Sequence, residues 1–446
     1  MNFAIVLATL KPSSFVLASG LSLASLGLLA LFPAKGADLS TAGVERLAPF
    51  FNKTELPDRP ITILSFGDSM ADSYRSISCV LMHRFADRLG VAGHSLNAFA
   101  DGNYYRLTNG AVAVGPDRFW FETHQQIPPG GGVWWDAFPF PGGIWSDRVG
   151  LFFVAHPTGG VMTLSVSTNG GPWTALLTVN AYAPSPEGRF TNLSLALDFH
   201  RLRVDGQSGT NVVLGAQLLN SHSNGVHTVF TDEPGISLSD VTNVPEAIRL
   251  PVFRAVSPDL LIWHMKEDSS DATRQGLIEC ESWWSNAVPD CSVIYIGTPY
   301  VSLDTNSTWT ADQNTLVRSV ALSFNRTYMD CMTPAVSYPW MVSQGFMSDG
   351  THENVQGNTY LAGFAWDSLG FFALRRPRTL AVQRGRDGFN LTYPTATNIL
   401  YTIESSDDTV HWQAVFSQPG DGLPGLKHFP IAASRQFFRL RLSPNN

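Results

Sequence analysis

Two short segments contain side chains that can together perform acyl transfer. The first is Phe66-Gly67-Asp68-Ser69-Met70 and the second is Ser348-Asp349-Gly350-Thr351-His352. A serine hydroxyl is a weak nucleophile at neutral pH and needs a neighbouring base to take its proton. An imidazole supplies that base, and a carboxylate holds the ring in the correct tautomer and steadies its charged form. Asp349 and His352 stand three residues apart, so one turn can present both. Ser69, Asp349 and His352 are therefore the candidate catalytic residues. Singly, each segment is ordinary: Gly-Asp-Ser is a common turn or helix cap, and Asp-Gly-x-His a common polar loop. Their order and their flanking elements make the pair informative.

Those elements are legible around the first segment. Residues 61–66 form a short apolar run that ends in Gly67, as a buried strand does on meeting a tight turn. From Ser76 to Leu89 the apolar residues Ile77, Val80, Leu81, Phe85 and Leu89 recur at helical spacing. Strand, turn and helix open an α/β unit, and open α/β sheets hold their sites at the carboxyl ends of strands. Ser69 falls there, with its own N–H available to an oxyanion. Further buried strands are predicted over 258–263 and 292–297, with helices over 271–286, 311–331 and 354–372. Between 97 and 228 helical periodicity gives way to short alternating runs between Gly, Pro and Asn turns, the pattern of an antiparallel sandwich inserted into the α/β domain. The tail from 376 to 446 alternates again and reads as a separate small β module. The expected order is a signal peptide at 1–37, a linker at 38–60, an α/β domain at 61–96 and 229–373, an insert at 97–228 and the C-terminal module.

Composition narrows the class. The chain has 446 residues, 44% hydrophobic and 15% charged, enough apolar material for extensive cores. Its net charge is −8, and it has no dense Lys/Arg cluster beyond Arg375, Arg376 and Arg378, which argues against a nucleic-acid partner. Lys11 precedes an apolar run from Phe15 to Phe32, and Ala34-Lys35-Gly36-Ala37 offers small residues for cleavage. That pattern suits an export signal, or an anchor if it is retained, and places the mature protein outside the cytoplasm. In an oxidising compartment the four cysteines allow three pairings, and Cys280 with Cys291 is the local one. No Cys-x-x-Cys occurs, and His222 and His227 read as surface residues, so neither a metal nor any other cofactor is called for. Asp72 and Arg75 read as helix-start charge and solvated surface. Most Trp belong to cores, but Trp134 and Trp135, which follow a Pro-Pro-Gly-Gly-Gly loop, and Trp283 and Trp284, between two cysteines, are candidate substrate-binding rings.

The two motifs, taken together, resemble those of the SGNH/GDSL hydrolases over residues 61–96 and 229–373. The resemblance implies a flavodoxin-like, three-layer α/β/α domain with a parallel sheet, interrupted by the inserted β-sandwich and followed by the small C-terminal β-sandwich. It maps the nucleophile to Ser69 and its partners to Asp349 and His352. Gly235, in Pro234-Gly235-Ile236-Ser237, corresponds to the glycine whose N–H joins that of Ser69 in the oxyanion hole. A fourth motif, Gly-x-Asn after a buried strand, reads Lys266-Glu267-Asp268 here. A carboxylate at the Asn position repels an oxyanion, and losing one such donor costs about 3 kcal/mol of transition-state stabilisation. The insert's place in the chain is similar to that in polysaccharide and peptidoglycan O-acetylesterases, where it resembles a carbohydrate-binding module. The leading expectation is an exported serine esterase acting on acyl groups, chiefly O-acetyl, of a glycan. A non-catalytic glycan-binding protein on a degenerate scaffold and a short-acyl or lipid esterase are the alternatives.

Overall fold

A computed structural model describes residues 40–54, 59–71, 76–95, 105–135, 145–221, 223, 225–305, 308–374, 381–384, 388–393, 395, 399–406, 411–420, 425–430 and 437–444. The expected signal segment 1–37, His222, and Asp72 with Arg75 lie outside the described residues. Among those described, no helix is long and apolar enough to cross a membrane.

The α/β part opens with α1 (Ala48–Thr54), β1 (Ile61–Gly67), α2 (Ile77–Leu89) and β2 (Val91–Ser95). The inserted strands follow: β3 (Tyr105–Thr108), β4 (Val112–Val114), β5 (His124–Ile127), β6 (Gly132–Trp135), β7 (Trp145–Ala155), β8 (Val161–Thr168), β9 (Thr174–Asn180), β10 (Glu187–Gly206) and β11 (Asn211–Leu219). The α/β order then resumes with β12 (Val226–Asp232), α3 (Leu238–Asn243), α4 (Glu246–Val256), β13 (Leu260–His264), α5 (Asp271–Ala287) and β14 (Ser292–Ile296). It closes with α6 (Trp309–Ser323), β15 (Thr327–Met329), α7 (Met332–Ala335), α8 (Tyr338–Ser343) and α9 (Val355–Ser368).

Six strands, in the order β15-β14-β13-β1-β12-β2, run parallel. Alternate residues of β1 serve opposite layers, as the strand's pleat requires. Ile61 and Ile63 pack with Leu81 and Phe85 of α2 and Leu361 and Ala365 of α9, whereas Leu64 and Phe66 pack with Phe253 of α4 and Trp284 of α5. This is a three-layer α/β/α domain. β2 also pairs antiparallel with β11, so the insert continues the same sheet through β11, β7 and β10. β10 pairs first with β7 and, beyond an irregularity between Ser194 and Asp198, with β8 and β6. It thereby joins the two layers of a sandwich whose core includes Leu151, Phe153, Leu164 and Val204. The C-terminal module is two three-stranded sheets: β16 (Ala381–Arg384), β17 (Gly388–Tyr393) and β20 (Gly425–Pro430) in one, β18 (Ile399–Ser406), β19 (Gln413–Pro419) and β21 (Phe437–Pro444) in the other.

Several expectations are corrected. Part of the 38–60 linker is structured: Leu47 and Phe50 are buried, and the Phe50 ring packs edge-on to Phe85 and Phe371. The helix expected over 311–331 ends at Ser323, because Asn325 turns the chain at φ 57° and Thr327–Met329 pairs with β14 instead. Trp283 and Trp284 do not line a rim; both are buried between α5, α4 and the sheet, against Phe253. Trp134 and Trp135 cannot share a surface, since neighbours on a strand face opposite ways. Trp135 is inside, and half-buried Trp134 leans edge-on against Trp173. His227 is buried on β12, its Nδ1 3.2 Å from Thr62 Oγ1, and burial lowers its pKa to about 3. All four cysteines are buried free thiols, so Cys280 and Cys291 are not paired.

Candidate active site

The turn after β1 is shaped by close approach. A Cβ on Gly67 would stand 1.9 Å from the His264 carbonyl oxygen at the end of β13, so only glycine lets the two strands come together here. Asp68 then fastens the turn. Its Oδ1 accepts the Met70 N–H at 2.9 Å, and its Oδ2 accepts the Lys266 N–H at 3.1 Å. Burial raises the Asp68 pKa to about 6, against the lowering effect of those two N–H groups and of the Lys266 and His352 charges. Ser69 is thus carried on a turn tied to two neighbouring strands.

The second loop precedes α9, where Asn354 caps the helix by accepting from the Gln356 and Gly357 N–H groups. Asp349 Oδ1 accepts the N–H groups of Thr351 and His352, at 2.7 and 2.8 Å. These bonds, with the His352 ring, hold its pKa down to about 2. Asp349 Oδ2 lies 2.9 Å from His352 Nδ1, and His352 Nε2 lies 2.9 Å from Ser69 Oγ. Folding therefore brings together two segments 283 residues apart in one continuous relay. With Nδ1–H donated to the carboxylate, Nε2 is left to accept the serine proton.

Ser69, His352, Pro234, Glu353, Asn358 and Val355 are among the residues lining a cleft of about 530 Å³. Gly235 follows Pro234 at φ +80°, a left-handed conformation that favours glycine. Its loop is held to β1 by the Glu233 N–H bonding the Gly67 carbonyl oxygen, at 3.1 Å. Glu233 in turn accepts the N–H and Oγ1 of Thr123 in the insert, at 3.0 and 2.9 Å. The insert thus braces the loop beside the cleft.

Asp268 does not serve as expected. Its exposed carboxylate lies in the turn before α5: Oδ1 accepts the Ser270 N–H at 3.0 Å and the Thr273 hydroxyl at 2.5 Å, while Ser270 caps the helix by accepting the Thr273 N–H. Those bonds keep its pKa below the usual value. The turn leading into α5 has claimed the side chain that alignment of the strands would aim at the oxyanion. Lys266 sends its ammonium over the Trp309 ring, 5.3 Å from the centroid, and to Thr351 Oγ1 at 3.4 Å. Glu267 accepts the Leu238 N–H at 2.6 Å, and burial with nearby Asp68, Asp268 and Asp240 raises its pKa to about 7. The sequence gives no role to Glu233, Glu267 or Glu353, although Glu353 adjoins a candidate catalytic residue; Asp68, which it offers as part of an ordinary turn or helix cap, is instead the tie between the nucleophile turn and the end of β13.

No protein-family model matches the chain, and no curated protein matches it. Among solved structures it is similar to a peptidoglycan O-acetylesterase, at 19% identity and TM-score 0.58, over 73% of this chain and 97% of that one. A family two carbohydrate esterase from Cellvibrio japonicus aligns at 10% identity and TM-score 0.25, over 60% of this chain and 99% of that chain. An acetyl xylan esterase from Geobacillus stearothermophilus aligns at 17% identity and TM-score 0.26, over 33% and 74%. The likeness to the O-acetylesterase is one of fold, and it agrees with a three-layer α/β/α domain whose parallel sheet continues into inserted strands.

Proposed function

We propose that the protein is an exported carboxylic ester hydrolase that removes acyl groups, chiefly O-acetyl, from a glycan. The observation that carries this reading is the relay from Ser69 Oγ to His352 Nε2 and from His352 Nδ1 to Asp349, with both links at 2.9 Å and opening on a cleft. In the proposed reaction Ser69 Oγ attacks the ester carbonyl while His352 takes its proton. The N–H groups of Ser69 and Gly235 stabilise the tetrahedral oxyanion. His352 returns the proton to the departing sugar oxygen, leaving an acyl-Ser69 ester. A water activated by His352 then releases the carboxylic acid and restores the serine. Asp349 stays ionised throughout and holds the imidazolium. The fold likeness to a peptidoglycan O-acetylesterase supports a glycan as the alcohol side of the ester.

Ser69→Ala should reduce hydrolysis of 4-nitrophenyl acetate by about a thousandfold or more; turnover close to that of the wild type would refute the assignment. A second reading, a glycan-binding protein on a silent scaffold, is favoured by one observation. Asp268 is committed to the turn before α5 and provides no side-chain amide to the oxyanion. A fluorophosphonate probe separates the two, since it labels Ser69 only if the serine is activated.

A further inference from the structure

Beside the cleft several apolar side chains are exposed. Val336, Val342, Val355, Leu303 and Tyr360 are 55%, 50%, 51%, 57% and 40% exposed. They belong to one connected region. Val355 also lines the cleft. The Ser302 N–H bonds the Gly350 carbonyl oxygen at 2.7 Å, which sets Leu303 against the loop carrying Asp349 and His352. Tyr360 stacks on Phe346 with centroids 5.1 Å apart and meets Trp340 at 5.9 Å. Its hydroxyl is fixed to the Pro334 carbonyl oxygen at 3.1 Å, two residues before Val336. Val336 itself has φ 59° and ψ −61°. A β-branched residue rarely adopts that conformation, and glycine would stand there at less strain. Both its backbone and its exposed side chain are unfavourable for folding alone, a combination that points to an external contact.

Charge says what that contact is. No Lys or Arg occurs from residue 327 to residue 374, where Asp349 and Asp367 are exposed and Asp330 and Glu353 are buried; Lys266 reaches the region from the end of β13, at Thr351, without forming a cluster. A surface for an anionic polymer or an anionic bilayer would carry clustered cations. Here the apolar side chains are interspersed with exposed Ser343, Gln344, Gln356 and Thr359, which are uncharged donors and acceptors. Sugar rings combine apolar C–H faces with hydroxyl edges and match that mixture. We propose that the surface formed by α8, the start of α9 and the Val336 turn is a platform for the rings of an uncharged polysaccharide flanking the esterified one. The proposal rests on the esterase reading and adds the class of polymer.

The test compares kcat/KM on acetylated glucomannan, acetylated polygalacturonate and 4-nitrophenyl acetate. The wild type should favour the neutral polymer over the carboxylate-bearing one. Val342→Glu should lower the ratio of glucomannan to 4-nitrophenyl acetate activity by about tenfold, a difference of about 1.4 kcal/mol. Val336→Gly, which relieves the backbone and therefore folds at least as well, should lower the same ratio. Ratios unchanged in both variants, or equal use of the two polymers, would overturn the platform. Binding is read separately with Ser69→Ala in gels containing deacetylated glucomannan. Retention that Val342→Glu abolishes supports the platform even if the wild type cleaves no ester, in which case only the esterase reading fails. Absence of retention, attachment to phosphatidylcholine vesicles instead, or self-association abolished by Val342→Glu would overturn the glycan as occupant.

Discussion

Glu353 follows His352 directly and is only 6% exposed, with no hydrogen-bond partner for its Oε1 among the described residues. Burial, helped by the nearby Asp349 charge, raises its pKa to about 8 from an ordinary 4.5. The folded state therefore binds a proton at Glu353 that the unfolded chain releases between those values. Its contribution to stability is complete below about pH 4.5 and is lost as pH rises through about 8. Glu353→Gln keeps the shape and removes the titration. The wild-type urea midpoint should fall more than that of the variant between pH 5 and pH 8.5, with a differential of a few kcal/mol at most. Parallel curves would place the titration elsewhere. Asp349 has the opposite sign: bonded in its ionised form, it contributes above the ordinary carboxylate range and loses that contribution only as pH falls through about 2.

Among elements, β1 and β13 control the nucleophile. Gly67 pairs with His264, and the same end of β13 leads to Lys266, whose N–H holds Asp68. Gly67→Ala would press a methyl into the His264 carbonyl, so either the strands separate or the turn moves. We expect a loss of about 2–4 kcal/mol in urea unfolding, together with a fall in kcat for a small ester. A stable variant with wild-type kcat would show that the approach is not needed to place Ser69. The turn into α5 makes a related point. Ser270 answers to the unpaired Thr273 N–H at the start of the helix, and Asp268 in turn holds the Ser270 N–H and the Thr273 hydroxyl. Spacing from the preceding strand could not reveal this competition.

At the scale of the molecule the insert and the α/β domain share a core. Trp120 and Phe121, from the insert, pack with Phe253, and Phe121 meets Phe66 of β1 with centroids 5.2 Å apart. Phe152 and Val154 of β7 join that core, while Leu151 and Phe153 face the sandwich. β11 covers the edge of β2, and Thr123 braces Glu233. Replacing residues 97–223 by a short linker should therefore expose an unpaired strand edge and apolar surface. The shortened chain is expected to aggregate or to lack a cooperative thermal transition. A soluble, cooperatively melting and active product would show the insert to be an independent appendage.

By itself the sequence determined the local facts. The apolar run before Gly67 specified a strand and turn, and the spacing from Ile77 to Leu89 specified α2, which the structure caps at Ser76. The two motifs were legible because strand-turn-helix chemistry and an Asp-Gly-x-His turn are written in neighbouring residues. What only the tertiary structure decided depends on distant partners. It turned Trp283 and Trp284 inward against α4, committed Asp268 to the turn before α5, buried His227 beneath Thr62 and continued the sheet into the insert. Pattern along a chain records which side chains avoid water. Which neighbour each one meets follows from packing across hundreds of residues, and only there do Ser69 and His352 come within 2.9 Å.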